Sequence, residues 1–386
     1  MGLPDYEITA VEESAGMVRM KARFTGKVEC PHCGGEDLRL KDRRVRRLRH
    51  ENWEQRATEL EVESRKGLCR GCGRQFWQRM PGMQPRMRST ELFRRSVCQK
   101  HYDGISRRRL AEREQLSGAT VERWFLRYLS LLAGERISRS CPQILGIDEH
   151  FFTRRHGYAT TFCDLKNHKL QDVVLGRSEA SLESYLSRLE DKHRVEVVCM
   201  DLAASYRALV RKHFPKARIV ADRFQVIRTI NHHFLACWKE LDPAGAKNRG
   251  LLSLMRRHRH NPDHRATGTA RWLSQRAPGS GSHLSLQTTA LLCPFLEKSC
   301  HQKRCQKLAR RFLADIAALR GCGFAPLAQL GHTLHSWPEE IACLWRFTRN
   351  NGIIEGSHTK MEVLQRQAYG FRNFQNYRLR VKVMCS

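Results

Sequence analysis

The sequence contains no apolar run long enough to cross a membrane. No stretch approaches the roughly 20 consecutive apolar residues that a transmembrane helix requires. The N-terminal segment Met1–Ser14 is acidic and lacks the apolar core of a secretory signal, and Tyr6 stands where a myristoylation signal needs serine or threonine. These absences exclude a membrane-spanning or secreted protein. We therefore expect the chain to be soluble and cytoplasmic, with no membrane partner.

Acidic residues are scarce relative to basic ones. The 386 residues include 69 Lys and Arg against 39 Asp and Glu, which gives a formal net charge of +30. Few ordinary soluble enzymes carry such a charge, whereas a protein that neutralises phosphates gains from the release of condensed counterions. The composition therefore predicts a polyanionic partner, and the length allows two or three domains.

The cysteines are arranged for metal binding rather than for disulfides. The chain has 15 of them, an odd number, and no export signal, which favours reduced thiols. Two CxxC pairs, Cys30–Cys33 and Cys69–Cys72, are each followed by glycine. Two intervening residues let one tight turn present both sulfurs to a tetrahedral ion. We expect Cys30, Cys33, Cys69 and Cys72 to hold one structural Zn²⁺; ordinary buried thiols or a redox pair are the alternatives.

The loop between the two CxxC pairs is strongly basic. Residues 39–50, RLKDRRVRRLRH, contain seven Lys and Arg in twelve positions. Beside a zinc ribbon we interpret this segment as an arm that contacts phosphates, with a solvated charged face as the alternative. The arginines expected to bind DNA are Arg43, Arg44, Arg46 and Arg47.

A helix-turn-helix is predicted after the zinc ribbon. Residues 86–140 have helical periodicity and are rich in arginine. Leu116–Gly118 supplies a short turn between two amphipathic segments, which is the helix-turn-helix pattern. We expect residues 119–130 to form the recognition helix, with Arg123 exposed towards DNA. A helical hairpin that binds nothing has the same pattern.

From about residue 141 the pattern alternates between strands and helices. The predicted order is three strands, a helix, a strand, a helix, a strand and a helix, which is typical of the ribonuclease-H-like fold. The segment at about 241–345 is helical in pattern and is interpreted as an insertion before the last helix. We therefore predict a multidomain α/β protein with a zinc ribbon at 1–85, a helix-turn-helix domain at 86–140, and a ribonuclease-H-like catalytic core with an all-helical insertion at 141–386.

Two aspartates end apolar strands of this predicted core. Asp148 follows ILGI and Asp201 follows VVCM. Since strands buried on both faces are nearly continuously apolar, we interpret these charges as marking the carboxyl edge of the sheet. The two strands are neighbours in ribonuclease-H topology, and adjacent carboxylates repel unless a cation lies between them. All-oxygen ligation favours Mg²⁺ or Mn²⁺, and a pair of such ions can clamp the oxygens of a phosphodiester.

A third carboxylate is expected on the helix that follows the insertion. Glu355 and Glu362 share one face of that helix with His358, so both glutamates are candidates. Asn351 is a reasonable cap for the start of the helix. Asp222 ends the next strand of the sheet and is a candidate for an outer position. Strand-end carboxylates also cap helices, so the spacing alone does not choose among these residues.

At these residues the sequence resembles the ISL3 family of bacterial insertion-sequence transposases, which are DDE enzymes. The resemblance runs through the whole chain, and its C-terminal motif is the longest. The motifs are CPHCGG with CRGCGRQF, ILGIDEHFF, VVCMDLAASY, ARIVADRFQVIR and NGIIEGSHTKMEVLQRQAYGFRNFQNYRLRV. The resemblance implies that Asp148, Asp201 and Glu355 form the catalytic triad and bind the catalytic Mg²⁺ or Mn²⁺.

The last motif departs from the family pattern at three positions. The family commonly has asparagine where this chain has His358, and basic residues where Met361 and Glu362 stand. The triad is intact, and Lys360 and Arg366 remain available for backbone phosphates. We expect the aromatic residues of this segment to pack a C-terminal core rather than to stack on bases. They are Tyr369, Phe371, Phe374 and Tyr377.

The resemblance implies a DNA transposase of an insertion sequence that acts at the bacterial nucleoid. Such an enzyme binds terminal inverted repeats, hydrolyses strands at the element ends and joins the freed 3′-hydroxyl to target DNA. It must bring two ends together, so we expect a homo-oligomer. One alternative is a DNA-binding regulator derived from a transposase that no longer cuts. Another is a junction or repair nuclease on the same fold.

Overall fold

The computed structural model describes residues 2–241, 243, 247 and 302–385, apart from positions 15, 55, 137–139 and 348–351. Contacts divide the chain into two compact units, Met1–Glu135 and Arg136–Ser386. None of the helices in the described part of the chain is long and apolar enough to span a bilayer.

The first unit begins with a five-stranded sheet. Strand order is β1-β2-β4-β3, with the short β5 paired to β4. The β2–β4 pair is parallel and the other pairs are antiparallel. The strands are β1 (Tyr6–Ser14), β2 (Met17–Phe24), β3 (Leu38–Trp53), β4 (Arg56–Cys69) and β5 (Gln75–Trp77). Leu48, Leu60 and Val62 form the centre of the core of this sheet.

The basic segment at 39–50 lies in β3 and is not a loop. It pairs antiparallel with β4 along nearly its whole length. Arginine side chains of β3 contact acidic side chains of β4. For example, Arg47 Nε lies 2.7 Å from Glu61 Oε1. The Arg44 guanidinium lies 3.9 Å from the centre of the Trp77 ring. These cross-strand contacts stabilise an extended strand although most of its side chains face solvent.

Three helices complete the first unit: α1 (Glu91–Tyr102), α2 (Arg107–Arg113) and α3 (Gly118–Arg136). Each of the first two begins at a side-chain cap, since Thr90 accepts from Phe93 N and Ser106 accepts from Arg109 N. The connection between α2 and α3 runs from Glu114 to Ser117, so Gly118 of the expected turn already begins α3, and the expected recognition helix at 119–130 lies within α3.

The helices are joined to β3 by buried polar contacts. His50 Nδ1 lies 3.0 Å from Thr90 Oγ1. The Glu114 side chain is fully buried, and it accepts hydrogen bonds from Asn52 Nδ2 at 3.1 Å and from Lys100 Nζ at 3.0 Å. Because a buried carboxylate is costly unless it is paired, these bonds hold the helices to the sheet. The zinc-ribbon and helical segments therefore belong to one compact unit.

The second unit is built on a mixed sheet with strand order β10-β9-β6-β7-β8. β7 and β8 continue antiparallel from β6, whereas β9 and β10 run parallel to it. The strands are β6 (Ile144–Thr153), β7 (Gly157–Asp164), β8 (Lys169–Leu175), β9 (Val197–Met200) and β10 (Arg218–Ala221). The helices between them are α4 (Glu179–Ser187) and α5 (Ala204–His213), and α6 (Arg223–Leu241) follows β10. This order agrees with the predicted one.

Helices cover both faces of this sheet. One face packs with α4 to α6 and with α7 (Gln302–Leu319), α8 (Ala325–His335) and α9 (Pro338–Ala342). The other packs with α10 (Gly352–Gln367) and α11 (Phe374–Met384). The described part of the predicted insertion, residues 302–345, is helical, and residues 248–301 lie outside the described residues. Ion pairs from Arg378 and Lys382 to the buried Asp172 join α11 to β8.

Candidate catalytic and metal-binding sites

Asp148 and Asp201 lie beside each other on neighbouring strands. Asp201 directly follows β9, as expected, but Asp148 lies within β6 rather than at its end. β6 continues past Asp148 because β7 pairs with it as far as Thr153. The parallel pairing between β6 and β9 ends at Ile147 opposite Met200, so the next residue on each strand is one of the two aspartates.

The site is electrostatically unfavourable without a cation. The pKa of Asp148 is raised to about 7, chiefly by burial, with a smaller contribution from the nearby carboxylates of Asp222, Glu149 and Glu355. Burial likewise raises the pKa of Asp201 to about 8, with Asp148 and Asp222 adding to the effect. Each carboxyl group therefore holds its proton more tightly, first because it is buried and second because its neighbours carry the same charge.

The donor set fits a divalent cation. Asp201 Oδ1 is buried and has no hydrogen-bond partner among the described residues. Asp148 Oδ1 accepts a hydrogen bond of 2.7 Å from the Glu149 amide, and its other oxygen is not used in this way. An unpartnered buried carboxylate oxygen is costly, and a bound cation would remove that cost. Carboxylate oxygens are the ligands that Mg²⁺ and Mn²⁺ prefer.

The first turn of α10 carries Glu355, a further carboxylate near this cluster. Glu355 is near enough to contribute to the raised pKa of Asp148. Its rival Glu362 forms an exposed ion pair of 3.2 Å with Arg366 and lines a cavity of about 500 Å³. Electrostatic proximity thus favours Glu355. Asn351, the expected cap of this helix, lies outside the described residues.

A glycine permits α10 to approach the sheet closely. A Cβ atom added at Gly146 would lie 2.7 Å from Ile354 Cδ1 and 2.8 Å from Leu165 Cδ2. Both distances are far shorter than ordinary van der Waals contact. Since Ile354 precedes Glu355, the absence of a side chain at Gly146 places the helix-borne carboxylate near the strand-borne ones.

A chain of buried polar side chains adjoins the carboxylates, and sequence reasoning did not find it. His358 Nε2 and His150 Nδ1 each lie 3.0 Å from Thr161 Oγ1. His150 Nε2 lies 3.0 Å from the Tyr377 hydroxyl. Burial lowers the pKa of His358 to about 4 and that of His150 to about 3, so both rings are neutral near pH 7. In the sequence, His358 stands out only as a difference from the resembled family's motif, and Tyr377 only as a core aromatic residue.

The aromatic residues of the C-terminal segment divide between core and surface. Tyr377 and Phe374 are buried and contact Phe152, as expected for a core role. Phe371 packs partly against the same cluster. Tyr369 is 97% exposed and follows the last turn of α10.

The four cysteines of the CxxC pairs form a single cluster. Their sulfur atoms all lie within 4.8 Å of one another. Cys30 Sγ lies 3.7 Å from Cys72 Sγ, and Cys33 Sγ lies 3.5 Å from Cys69 Sγ. A tetrahedral zinc ion with Zn–S bonds of about 2.3 Å separates its sulfurs by about 3.8 Å. The cluster therefore has the dimensions of a structural Zn²⁺ site.

Matched turns place these sulfurs. Gly34 and Gly73 follow the second cysteine of each pair and have φ values of +73° and +71°, a region that favours glycine. Their amides donate 2.9 Å hydrogen bonds to the carbonyls of Cys30 and Cys69. Burial opposes ionisation of Cys30, but hydrogen bonds from backbone amides outweigh it and lower the thiol pKa to about 7. The first turn thus favours the thiolate of Cys30, whereas the hydrogen bond from the Gly35 amide to Cys33 is outweighed by the neighbouring thiols, which raise the pKa of Cys33 to about 12.

The arginines expected to contact DNA differ in their availability. Arg43 and Arg47 are exposed on β3 and lie near acidic residues of β4. Arg44 is exposed above Trp77. Arg46 is half-buried and donates hydrogen bonds of 2.9 and 3.1 Å to the carbonyls of Gln84 and Met87. Arg46 thus supports the fold, whereas its three neighbours remain accessible.

The other two basic residues expected to contact DNA face solvent. Arg123 is exposed on α3, next to Glu122, which pairs with Arg107 of α2. Lys360 is exposed on α10 in the turn after Glu355. Among the described residues, neither side chain donates hydrogen bonds to backbone carbonyls as Arg46 does.

Comparison with known proteins identifies the family of the chain. Residues 145–381 match the profile of a transposase family, and this match covers more than half of the chain. The protein thus belongs to the ISL3 family of transposases, which confirms the resemblance noted in its sequence motifs. Residues 27–72 match the "zinc-finger of transposase IS204/IS1001/IS1096/IS1165".

A curated relative covers almost the whole chain. It is the "Transposase for insertion sequence element IS1001" of Bordetella parapertussis, which is 22% identical over 364 residues. The aligned region covers 92% of this chain and 87% of the relative. The zinc-finger match includes the four clustered cysteines, so the structural Zn²⁺ expected there is supported by sequence and geometry together.

Proposed function

We propose that this transposase cuts and joins DNA strands at a site formed by Asp148, Asp201 and Glu355. The observation that supports it most strongly is the juxtaposition of Asp148 and Asp201 where the parallel pairing of β6 and β9 ends. Burial raises the pKa of both carboxyl groups, and the Asp148 carboxylate adds to the rise at Asp201. The unpartnered Asp201 oxygen and the nearby Glu355 add to it. A shared cation pair is the arrangement that makes such a buried cluster of like charges favourable.

The proposed core is ribonuclease-H-like. Three antiparallel strands extended by two parallel strands, with helices on both faces, support this assignment. In this arrangement Asp148 and Asp201 lie at the centre of the sheet, and Glu355 approaches from a covering helix.

The residues of the site have distinct roles in the proposed reaction. Asp148 and Asp201 would hold divalent cations between them, and Glu355 would complete the ligand set. Bound Mg²⁺ or Mn²⁺ supplies an activated water and stabilises the charge that develops on the phosphate. In the first step water breaks the phosphodiester bond at an element end and releases a 3′-hydroxyl. In the second step that hydroxyl attacks a phosphodiester of target DNA and displaces its 3′ oxygen.

DNA recognition is assigned to the first 140 residues. The pair α2–α3 would act as a helix-turn-helix, with Arg123 facing the bases of the terminal inverted repeat. Arg43, Arg44 and Arg47 on β3 would contact backbone phosphates, and Lys360 would contact phosphates near the catalytic site. Two element ends must be processed together, so the active form would be a homo-oligomer.

Conservative substitutions test the catalytic assignment. Asp148→Asn, Asp201→Asn and Glu355→Gln should each abolish nicking of an element-end duplex while gel-shift affinity is retained. Glu362→Gln is the matched control on the same face of α10 and should cut at close to the normal rate. Normal cutting by Glu355→Gln together with loss of cutting by Glu362→Gln would show that the third ligand is assigned incorrectly.

Salt dependence tests the assignment of the β3 arginines. Binding that neutralises phosphates falls with log salt by about 0.9 per phosphate. Replacing Arg43, Arg44 and Arg47 with alanine should flatten this slope and weaken binding to element ends and random DNA alike. Arg46→Ala is the control from the same strand, and it should lower thermal stability because Arg46 supports backbone carbonyls. An unchanged salt slope in the triple variant would move the phosphate contacts elsewhere.

A further inference from the structure

Four side chains from four elements form a continuous hydrogen-bonded chain that ends beside Asp148. Tyr377 on α11 bonds His150 on β6, His150 bonds Thr161 on β7, and Thr161 bonds His358 on α10, each at 3.0 Å. The other ring nitrogen of His358, Nδ1, lies 3.8 Å from Asp148 Oδ2. Thr161 and Tyr377 are fully buried.

The chain has a definite direction. The single hydroxyl proton of Thr161 can serve only one of its two histidine neighbours, so one ring nitrogen must donate and the other must accept. Each neutral imidazole carries one proton, so choosing the direction of one bond determines the direction of the rest. An ionised Asp148, the form that binds a metal ion, can only accept, which places the proton of His358 on Nδ1, towards Asp148.

The remaining bonds follow from that choice. His358 Nε2 then accepts from Thr161, Thr161 accepts from His150 Nδ1, and His150 Nε2 accepts from the Tyr377 hydroxyl. The side chain of Gln365 also hydrogen-bonds Tyr377, and an amide N–H donated there leaves the tyrosine proton free for His150. With this assignment, each N–H and O–H of the four side chains points to the next acceptor on the path towards Asp148.

We propose that His358 is a positioning residue for the catalytic site: its Nδ1–H, aligned by Thr161, His150 and Tyr377, orients the Asp148 carboxylate for metal binding. This inference rests on the proposed function of Asp148. The present separation of 3.8 Å is longer than a hydrogen bond, and active-site hydrogen bonds commonly shorten when the complex forms. Hydrogen bonds to ligating carboxylates fix their orientation, and their loss weakens metal binding.

His358 is 17% exposed and lies on the inner side of α10, whereas exposed Lys360 of the same helix faces solvent. The two ring nitrogens of His358 face Thr161 and Asp148, an arrangement that a shorter side chain could not provide. The histidine in this chain therefore links two strands to the helix that carries Glu355.

A matched pair of substitutions at Thr161 tests the proposal in the full-length, zinc-loaded protein. Thr161→Val keeps the shape of the side chain and removes the hydroxyl, whereas Thr161→Ser keeps the hydroxyl. The affinity for Mn²⁺ is measured by electron paramagnetic resonance titration without DNA, so the readout does not depend on strand cleavage. Thr161→Val and His358→Ala should weaken Mn²⁺ binding by about ten- to a hundredfold. Thr161→Ser should stay within about threefold of the unsubstituted protein.

Thermal unfolding and the Asp148→Asn variant serve as controls for the Mn²⁺ titrations. Thermal unfolding identifies variants that fail to fold, and if Thr161→Val is one of them the partly exposed His358→Ala carries the same comparison. Equal Mn²⁺ affinity for folded Thr161→Val and Thr161→Ser would overturn the proposal. Asp148→Asn is the reference for the site itself. If Asp148→Asn loses Mn²⁺ while the His358 and Thr161 variants do not, only this inference fails; if Asp148→Asn binds normally, the proposed catalytic site fails with it.

Discussion

Replacing Gly146 with alanine would test whether close packing of α10 on the sheet places Glu355. The added Cβ would lie 2.7 Å from Ile354 Cδ1, and ordinary contact begins at about 3.4 Å. The helix or the side chain must therefore retreat by about 0.7 Å, the difference between these two distances. Overpacking of this kind costs about 1–3 kcal/mol. The lower entropy of the unfolded alanine chain offsets about 0.4–1 kcal/mol of that cost.

The expected net effect is a loss of about 1–2 kcal/mol in the free energy of unfolding. For a unit of this size each kcal/mol corresponds to about 2–4 °C in Tm. The cleavage rate should fall strongly even where the protein stays folded, because a misplacement approaching 1 Å can reduce the rate by about a hundredfold. DNA binding should be unchanged, since the arginines proposed to bind the element end lie in the other unit.

Two additional variants make the Gly146 experiment specific. Gly356→Ala changes the same helix, where an added Cβ meets no atom within 4 Å, and should stabilise by up to about 1 kcal/mol. Ile354→Val removes the Cδ1 atom that clashes and should partly restore cleavage in Gly146→Ala. Thermal unfolding and nicking assays on the same preparations provide both readouts. A Gly146→Ala variant that is as stable and as active as the unsubstituted protein would refute the packing argument.

Three other predictions concern charge and metal. The folded-state pKa values of Asp148 and Asp201 are raised, so their contribution to stability is complete below about pH 4 and is lost as pH rises towards 7 to 8. The Tm measured without Mg²⁺ should therefore fall over this pH range. The Asp201→Asn variant should show a smaller fall in Tm. Removing zinc with a chelator, or Cys30→Ser, should unfold the zinc ribbon, seen as lost β-sheet circular dichroism, and unchanged spectra would contradict this. Asp172→Ala leaves Arg378 and Lys382 without their partner and should cost about 3 kcal/mol, measured by urea unfolding, with Glu362→Ala as the exposed control.

The sequence was sufficient for elements with strong local signals. The apolar runs before Asp148 and Asp201 predicted adjacent strands, and the paired CxxC motifs predicted the thiol cluster, because both signals depend on short spacings. The basic segment at 39–50 was interpreted as a loop, since its charges hid the alternation. The structure shows it as a strand because residues of β4, distant in sequence, pair with those charges.

The contacts that join distant parts of the site could not be predicted in this way. Asp148 is expected at a strand end, but β6 pairs with two neighbouring strands. The parallel pairing with β9 ends just before Asp148, whereas the antiparallel pairing with β7 continues to Thr153. The bond between Thr161 and His358 joins residues 197 positions apart, and that between His150 and Tyr377 joins residues 227 apart. No periodicity in one sequence reports such a pairing.

The length of the β3–β4 hairpin sets the distance between the zinc cluster and the helices within the first unit. Its zinc end is at Leu38, opposite Cys69, and its helical end is at His50, which contacts Thr90. Twelve strand residues span about 40 Å, which equals about 12 base pairs of B-form DNA. On the proposed function, a duplex that follows the hairpin to the helices would have its backbone-phosphate contacts spread over a little more than one helical turn. Shortening each strand by two residues would shorten that stretch by about two base pairs, so the hairpin length would set how much duplex beside the bases read by α3 is needed for binding.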